Sequence, residues 1–133
     1  MSVLVSPEAM LVKSGRVSPH FTVEEFRCSC SACRHAAPAF PLHWRLVRIL
    51  EAIRRAVARP VHVRSGYRCE AHNAAVGGVE DSYHLTGEAA DIHVLGCEAP
   101  YLADLARGAG AGGLGLYGDW IHVDVGPERI WWG

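Results

Sequence analysis

The sequence lacks a long apolar run, an excess of charge of either sign, and an even number of cysteines. No apolar run approaches the roughly 20 residues that a membrane-spanning helix needs. The 13 basic and 14 acidic residues leave a formal charge of −1, so we predict neither a nucleic-acid-binding surface nor a disordered acidic tail. Five cysteines cannot all pair in disulfides, and we interpret most of them as reduced thiols.

The first residues, 1–15, also lack a basic start followed by a long apolar stretch. We therefore expect no cleaved signal peptide and predict synthesis in the cytoplasm, with any exit depending on lysis or another device. The 133 residues are enough for one domain with its own core. We predict an N-terminal arm at residues 1–17, a single domain at residues 18–133, and a monomer.

Residues 82–93, SYHLTGEAADIH, contain the pattern on which the rest of the interpretation depends. The end of this stretch alternates between apolar and polar side chains, as in a strand with one face in the core. Asp91 and His93 share the polar face of that strand. His84 precedes the strand on a loop that Gly87 can turn back, and this turn would bring His84 next to Asp91.

A second strand with the same alternation is predicted at residues 119–125, DWIHVDV. His122 and Asp124 lie on its polar face, and three apolar residues lie on the other. Two such strands could supply three nitrogen and oxygen ligands to one zinc ion, from two histidines and Asp91. Three protein ligands with an open fourth position are typical of a catalytic zinc site.

Hydrolysis at such a zinc ion requires a general base near the attacking water and a donor that stabilises an oxyanion. Asp119, three positions before His122, and Asp124 are the candidates for the base, and Asp124 equally suits a partner that orients a ligand histidine. Arg68, in a tight turn after a strand, is the candidate that binds an oxyanion or a carboxylate. His93 could be a ligand in place of His84, orient a ligand, or be an ordinary strand residue.

The other elements are predicted from apolar periodicity, capping residues and turn residues. They are a helix start at residues 22–25, a long helix at 41–58, a strand at 61–64, helices at 70–76 and 101–107, and a strand at 114–117. The glycine-rich residues 108–113 lack a lysine and do not lie between a strand and a helix, so we interpret them as a flexible loop. Trp131 and Trp132 are expected to pack on the core or at the rim of the site.

Cysteines are concentrated at residues 28–35, CSCSACRH. Cys28, Cys30, Cys33 and His35 could in principle hold a second metal ion. The spacing is cramped, because a structural zinc site usually combines two separated half-sites. We therefore favour a surface loop of small residues, one or two of them buried.

The motifs Ser82-x-His84-x-x-Gly87-x-Ala89-x-Asp91 and Trp120-Ile121-His122-Val123-Asp124 resemble those of the zinc D-Ala-D-Ala carboxypeptidase family. That family includes D-Ala-D-Ala dipeptidases and phage L-Ala-D-Glu endolysins, and it is grouped with lysostaphin and the hedgehog domain. The upstream Ser65-Gly66-Tyr67-Arg68 and the opening His20-Phe21-Thr22-x-x-Glu25-Phe26 are similar too. The resemblance covers roughly residues 18–127.

The resemblance implies a small α+β fold in which an antiparallel sheet, packed with helices, carries the zinc site. It implies a Zn²⁺ ion held by His84, Asp91 and His122. It implies that Arg68 binds the substrate or steadies the transition state, and that Ser82 binds the substrate's backbone or carboxylate. It places the base at Asp119, with Asp124 as the alternative. It gives His93 no ligand role, and His93 is then expected to support a ligand or to serve as another base.

The implied activity is hydrolysis of peptide bonds in peptidoglycan stem peptides. One alternative is a zinc-containing binding module without catalysis, which would have lost the base or Arg68. Another is a phage tail or lysis component that uses the same chemistry and reaches the cell wall by lysis. The bond that is cut, by a carboxypeptidase, dipeptidase or endopeptidase, stays open at this point.

Overall fold

The computed structural model describes residues 8–133. Within them, no helix is both long enough and apolar enough to cross a bilayer. Helices and strands are mixed along the chain, and the fold is α+β, as predicted. The helices are α1 (Val23–Phe26), α2 (Ser31–Ala36), α3 (Trp44–Val57), α4 (Glu70–Ala75) and α5 (Ala99–Gly108), with a 3₁₀ turn at Tyr83–Thr86. The strands are β1 (Ala9–Val12), β2 (Arg16–Ser18), β3 (Phe21–Thr22), β4 (Phe40–His43), β5 (His62–Ser65), β6 (Ala89–His93), β7 (Gly113–Tyr117), β8 (Trp120–Asp124) and β9 (Arg129–Trp132).

The main sheet has five strands in the order β5-β6-β8-β7-β9. Neighbouring strands run antiparallel except β9, which pairs parallel with β7. The predicted antiparallel sheet is therefore confirmed for four strands, and the sequence interpretation missed the fifth. The two strands predicted around Asp91 and His122 lie side by side at its centre, with Asp91 directly opposite His122.

One face of this sheet is apolar and forms the core with two helices. Ile92 and Ile121 are fully buried, and they join Leu50 of α3 and Leu102 of α5 in a single cluster. Because side chains alternate along a strand, the opposite face carries the polar residues at the odd positions of β6 and the even positions of β8. The core thus holds the backbone that presents the polar face.

The long helix α3 begins at Trp44, three residues later than predicted, because the preceding residues 40–43 form β4. β4 pairs antiparallel with β1. Residues 1–7 of the predicted N-terminal arm, residues 1–17, lie outside the described residues. The described part of the arm contributes β1 and the start of β2, which pairs with β3.

Candidate metal centre

His84 is held by the 3₁₀ turn that precedes β6. The turn ends at Gly87, whose φ of +74° suits glycine, and a Cβ there would lie 2.0 Å from the carbonyl oxygen of Pro41. The Nδ1 of His84 lies 2.7 Å from the Gly66 carbonyl oxygen. A proton on Nδ1 is donated to that oxygen, so Nε2, which lies 3.3 Å from Asp91 Oδ1, is the nitrogen that would bind a metal ion.

His122 approaches the same carboxylate from the neighbouring strand. Its Nδ1 lies 3.0 Å from Asp91 Oδ1, and its Nε2 lies 2.7 Å from Asp124 Oδ2. The bond to Asp124 holds a proton on Nε2, so Nδ1 is the nitrogen that would bind a metal ion. The two imidazole rings lie edge to face, with centroids 5.2 Å apart.

The donor atoms of His84, Asp91 and His122 all lie within 4.8 Å of one another. Two imidazole nitrogens and one carboxylate oxygen form a donor set that suits zinc. Each histidine is oriented through its other nitrogen, as is usual for metal-ligating histidines. The residues present therefore fit a three-ligand zinc centre, and the structure brings together the three residues that the family resemblance implies as ligands.

The electrostatics of the cluster favour a charged carboxylate. Burial by itself would raise the pKa of Asp91, but hydrogen bonds from His122 and His84, together with their charges, hold it well below its ordinary value. Burial likewise works against protonation of His122, and its bonds to Asp124 and Asp91 outweigh burial and raise its pKa. An ionised Asp91 is the form that a cation requires.

Arg68 lies beside the cluster at 3.3 Å from the second oxygen of Asp91, Oδ2. Its guanidinium is fixed by two further bonds, from Nε to Ser65 Oγ at 3.0 Å and from Nη1 to Asn73 Oδ1 at 3.3 Å. Ser82 is buried and accepts a hydrogen bond from the backbone N–H of His84 at 3.2 Å. In this structure Ser82 caps the 3₁₀ turn.

Asp124 is fully buried, and its carboxylate accepts five hydrogen bonds. The donors are the backbone N–H groups of Gly113 and Gly126, His122 Nε2 and two guanidinium nitrogens of Arg129. Burial opposes its ionisation, but the bonds from His122 and Arg129 lower its pKa to about 2. A carboxylate so fully engaged is suited to orient His122 and is a weak base.

Asp119 and His93 lie at the other end of the polar face. Asp119 is exposed in the turn between β7 and β8, and its carboxylate is not one of the three converging donors. Its charge acts on His93, whose ring stacks on His62 with centroids 4.9 Å apart. Burial of His93, with the charges of His62 and Arg64, lowers its pKa, and its Nδ1 has no hydrogen-bond partner among residues 8–133.

Two residues of β9 complete the wall of the site: Arg129, which was not predicted from the sequence, and Trp131, which was expected on the core or at the rim. Arg129 bonds Asp124, and the Trp131 ring lies 5.2 Å from the His122 ring. The side chains of Arg129 and Trp131 lie over the neighbouring strand β7 at its glycine positions. A Cβ at Gly115 would lie 2.6 Å from the Trp131 ring, and one at Gly113 would lie 2.3 Å from the Arg129 guanidinium. The alternation of glycine in β7 is the sequence signal that points to this crossing.

Comparison with known proteins agrees with this geometry. A family model described as Peptidase M15 matches residues 19–124. The peptidoglycan L,D-endopeptidase MepK of Escherichia coli K12 is 35% identical over 80 residues, which are 55% of this chain and 44% of that protein. The zinc D-Ala-D-Ala carboxypeptidase of Streptomyces albus G is 33% identical over 107 residues, which are 76% of this chain and 40% of that protein.

Among solved structures, the L-Ala D-Glu endopeptidase ChiX of Serratia marcescens is 28% identical, with a TM-score of 0.43 over 52% of this chain and 62% of that one. The matches to the two curated relatives span less than half the length of each.

Proposed function

This chain belongs to the peptidase M15 family, and on that premise we propose that it is a zinc peptidase that hydrolyses peptide bonds in peptidoglycan stem peptides. The observation that carries the proposal is the convergence of His84, Asp91 and His122 on one point of the polar face. The names of the relatives, an L,D-endopeptidase and a D-Ala-D-Ala carboxypeptidase, support the substrate class. They differ in the bond that they cut, so the proposal is limited to the stem peptide.

His84, Asp91 and His122 would hold the ion. When bound, zinc supplies Lewis-acid activation of water and of the scissile carbonyl at neutral pH. The protein's own contribution is to keep the histidines in the correct tautomer through Gly66 and Asp124.

Arg68 would bind the substrate's carbonyl oxygen as charge develops on it, or its terminal carboxylate. Its guanidinium already has three fixed partners, so little side-chain entropy is lost when the substrate arrives. The paired N–H donors of a guanidinium can bond either an oxyanion or a carboxylate. A preorganised donor at a developing oxyanion commonly contributes about 10²–10³-fold to kcat. Ser82 would support substrate binding indirectly, by capping the turn that carries His84.

Asp119 is our proposed general base. It is exposed, whereas Asp124 is buried and its carboxylate accepts five hydrogen bonds. His93 has a lowered pKa and is therefore neutral near pH 7, and it is the alternative candidate for the general base. We further propose a monomer that reaches the cell wall either by lysis or as a phage component.

The test is zinc content together with digestion of purified muropeptides by the wild type and His122→Ala. We expect the variant to lose one zinc equivalent and all cleavage, and mass spectrometry of the wild-type products names the bond. Zinc binding without cleavage by the wild type would favour the non-catalytic binding module. Full cleavage by His122→Ala would overturn the proposal. A circular dichroism spectrum of the variant shows that the fold is intact.

A further inference from the structure

A second convergent cluster lies outside the candidate metal centre. The Sγ atoms of Cys28, Cys30, Cys33 and Cys69 all lie within 4.8 Å of one another. All four are free thiols, and no disulfide joins any of the five cysteines. We propose that these four cysteines form a second, structural zinc site with tetrathiolate ligation. The sequence pattern alone suggests His35 as the fourth ligand, but His35 is exposed and Cys69 takes that place.

The sulfur separations match a metal site better than a disulfide. Cys69 Sγ lies 3.7 Å from Cys28 Sγ and 3.8 Å from Cys30 Sγ. A disulfide requires about 2.05 Å. Four thiolates at the usual Zn–S distance of about 2.3 Å, placed at the corners of a tetrahedron, are about 3.8 Å apart. These two separations therefore match the edge length of a ZnS₄ tetrahedron, and the other sulfur pairs lie within 4.8 Å.

Backbone N–H groups are directed at three of the sulfurs. The N–H of Cys33 lies 3.4 Å from Cys30 Sγ, that of Cys69 lies 3.5 Å from Cys28 Sγ, and that of His72 lies 3.4 Å from Cys69 Sγ. A neutral thiol is a weak acceptor, whereas an anionic acceptor makes stronger hydrogen bonds. When a metal is bound, its cysteine ligands are thiolates, and these three N–H groups would donate to their sulfurs.

The spacing also satisfies the rule of two separated half-sites. Cys28-x-Cys30-x-x-Cys33 supplies three ligands from the start of α2, and Cys69 follows 41 residues after Cys28 at the first turn of α4. All four ligands come from the protein, which leaves no open position for water. A closed tetrahedral site of this kind is structural.

Helix α2 gives a physical reason for such a site. None of the residues Ser31–Ala36 is buried, so no apolar side chain of the helix anchors it to the core. Cys28, just before it, is buried, and Ser29 Oγ lies 3.3 Å from His72 Nε2. A zinc ion bound by four thiolates would fix this segment where burial of apolar surface does not.

The second site would also support the first one. Cys69 directly follows Arg68, and the N–H of Tyr67 bonds the Phe26 carbonyl oxygen at 2.8 Å. Gly66 packs so closely on Phe26 that a Cβ would lie 2.7 Å from its backbone. The loop of residues 65–69 therefore ends at a cysteine ligand of the second site, Cys69. The same loop carries the Gly66 carbonyl, which orients His84, and the Arg68 guanidinium, which lies beside Asp91.

The test compares Cys33→Ser with Cys97→Ser. Cys97 is half-buried like Cys33 but lies outside the cluster, and it serves as the matched control. We expect two zinc equivalents in the wild type and in Cys97→Ser, and one in Cys33→Ser. The remaining equivalent in Cys33→Ser should disappear when His122→Ala is added. Cobalt(II) in place of zinc should give a thiolate-to-cobalt charge-transfer band that Cys33→Ser reduces and His122→Ala retains.

A measurement on the unchanged protein covers the case in which Cys33→Ser does not fold. A mercurial reagent that binds thiolates should release one zinc equivalent from the wild type and leave the other in place. One zinc equivalent in the wild type with no charge-transfer band, or disulfides in protein purified without reductant, would overturn the inference. Tetrathiolate iron in place of zinc would show a metal site but overturn its assignment to zinc. None of these results depends on peptidase activity.

Discussion

The imidazole of His122 lies 2.7 Å from the carboxylate of Asp124, two residues further along the same strand. Both side chains project from the polar face of β8, and Asp124 is buried beneath Arg129 and two backbone N–H groups. The carboxylate therefore fixes which nitrogen of His122 carries the proton. The other nitrogen, Nδ1, is then the one that would bind a metal ion.

We expect Asp124→Asn to weaken zinc binding at the first site by about 10–100-fold, which is the usual effect of losing such a partner. Asp119→Asn is the matched control, because it also neutralises an aspartate of the same hairpin. That control should leave zinc affinity unchanged and lower kcat. Competition with a chromogenic chelator measures the zinc affinity, and muropeptide cleavage measures kcat. Equal zinc affinities in the two variants would contradict the assigned role of Asp124.

Arg68→Lys should lower kcat by about 10²–10³-fold while zinc content stays at the wild-type level. Lysine keeps the positive charge, but its ammonium group cannot reproduce the simultaneous hydrogen bonds of the guanidinium to Ser65, Asn73 and Asp91. Arg55→Lys, on the exposed side of α3, is the control and should be neutral. An Arg68→Lys variant with wild-type kinetics would remove Arg68 from the mechanism.

Gly115→Ala should displace the Trp131 ring, because the added methyl group would lie 2.6 Å from it. Overpacking of this kind costs about 1–3 kcal/mol, and the ring packed against His122 would shift with it. We expect a lower denaturation midpoint, altered tryptophan fluorescence and reduced cleavage. Gly108→Ala introduces the same methyl group where nothing lies within 4 Å. Equal denaturation midpoints for Gly115→Ala and Gly108→Ala would contradict the expected overpacking against Trp131.

Glu51 should make stability depend on acid pH. Burial works to raise its pKa, but hydrogen bonds from Ser18 and His20 outweigh burial and lower it. A lowered folded pKa means that the stabilisation is present above the unfolded value of about 4.3 and is lost as pH falls through the folded value. We expect Glu51→Gln to cost about 1–3 kcal/mol at pH 7, with the difference from wild type shrinking in acid.

Urea denaturation of wild type and Glu51→Gln at several pH values measures this difference. The exposed Glu128→Gln is the control, and it should differ little from wild type at every pH. A constant gap between wild type and Glu51→Gln down to strongly acid pH would show that packing, and not ionisation, accounts for the effect.

Local pattern predicted the centre of the fold well. The alternation in residues 89–94 and 120–124 identified β6 and β8, and the long apolar periodicity identified α3, because each signal is contained in a few consecutive residues. The pairing of these strands places Asp91 beside His122 on the polar face, whereas His84 reaches them from the turn that ends at Gly87.

The features that the sequence interpretation missed depend on distant partners. β9 pairs parallel with β7 across the intervening hairpin, and its residues Arg-Ile-Trp-Trp show no clean alternation. Cys69 joins three cysteines that precede it by a long interval, and its own neighbours give no metal-binding pattern. Such contacts are set by tertiary packing, which a local pattern does not encode.

Because Gly113 and Gly115 carry no side chains, the edge strand reaches across β7 to the residues around the candidate metal centre. Trp131 thus belongs to the border of the candidate metal centre, whereas Arg129 also holds Asp124, the carboxylate that orients His122. Exchanging Trp131 would reshape that border without changing a donor residue or the carboxylate behind His122. For protein engineering, position 131 is therefore the place to vary the border, with Arg129 kept so that His122 stays oriented.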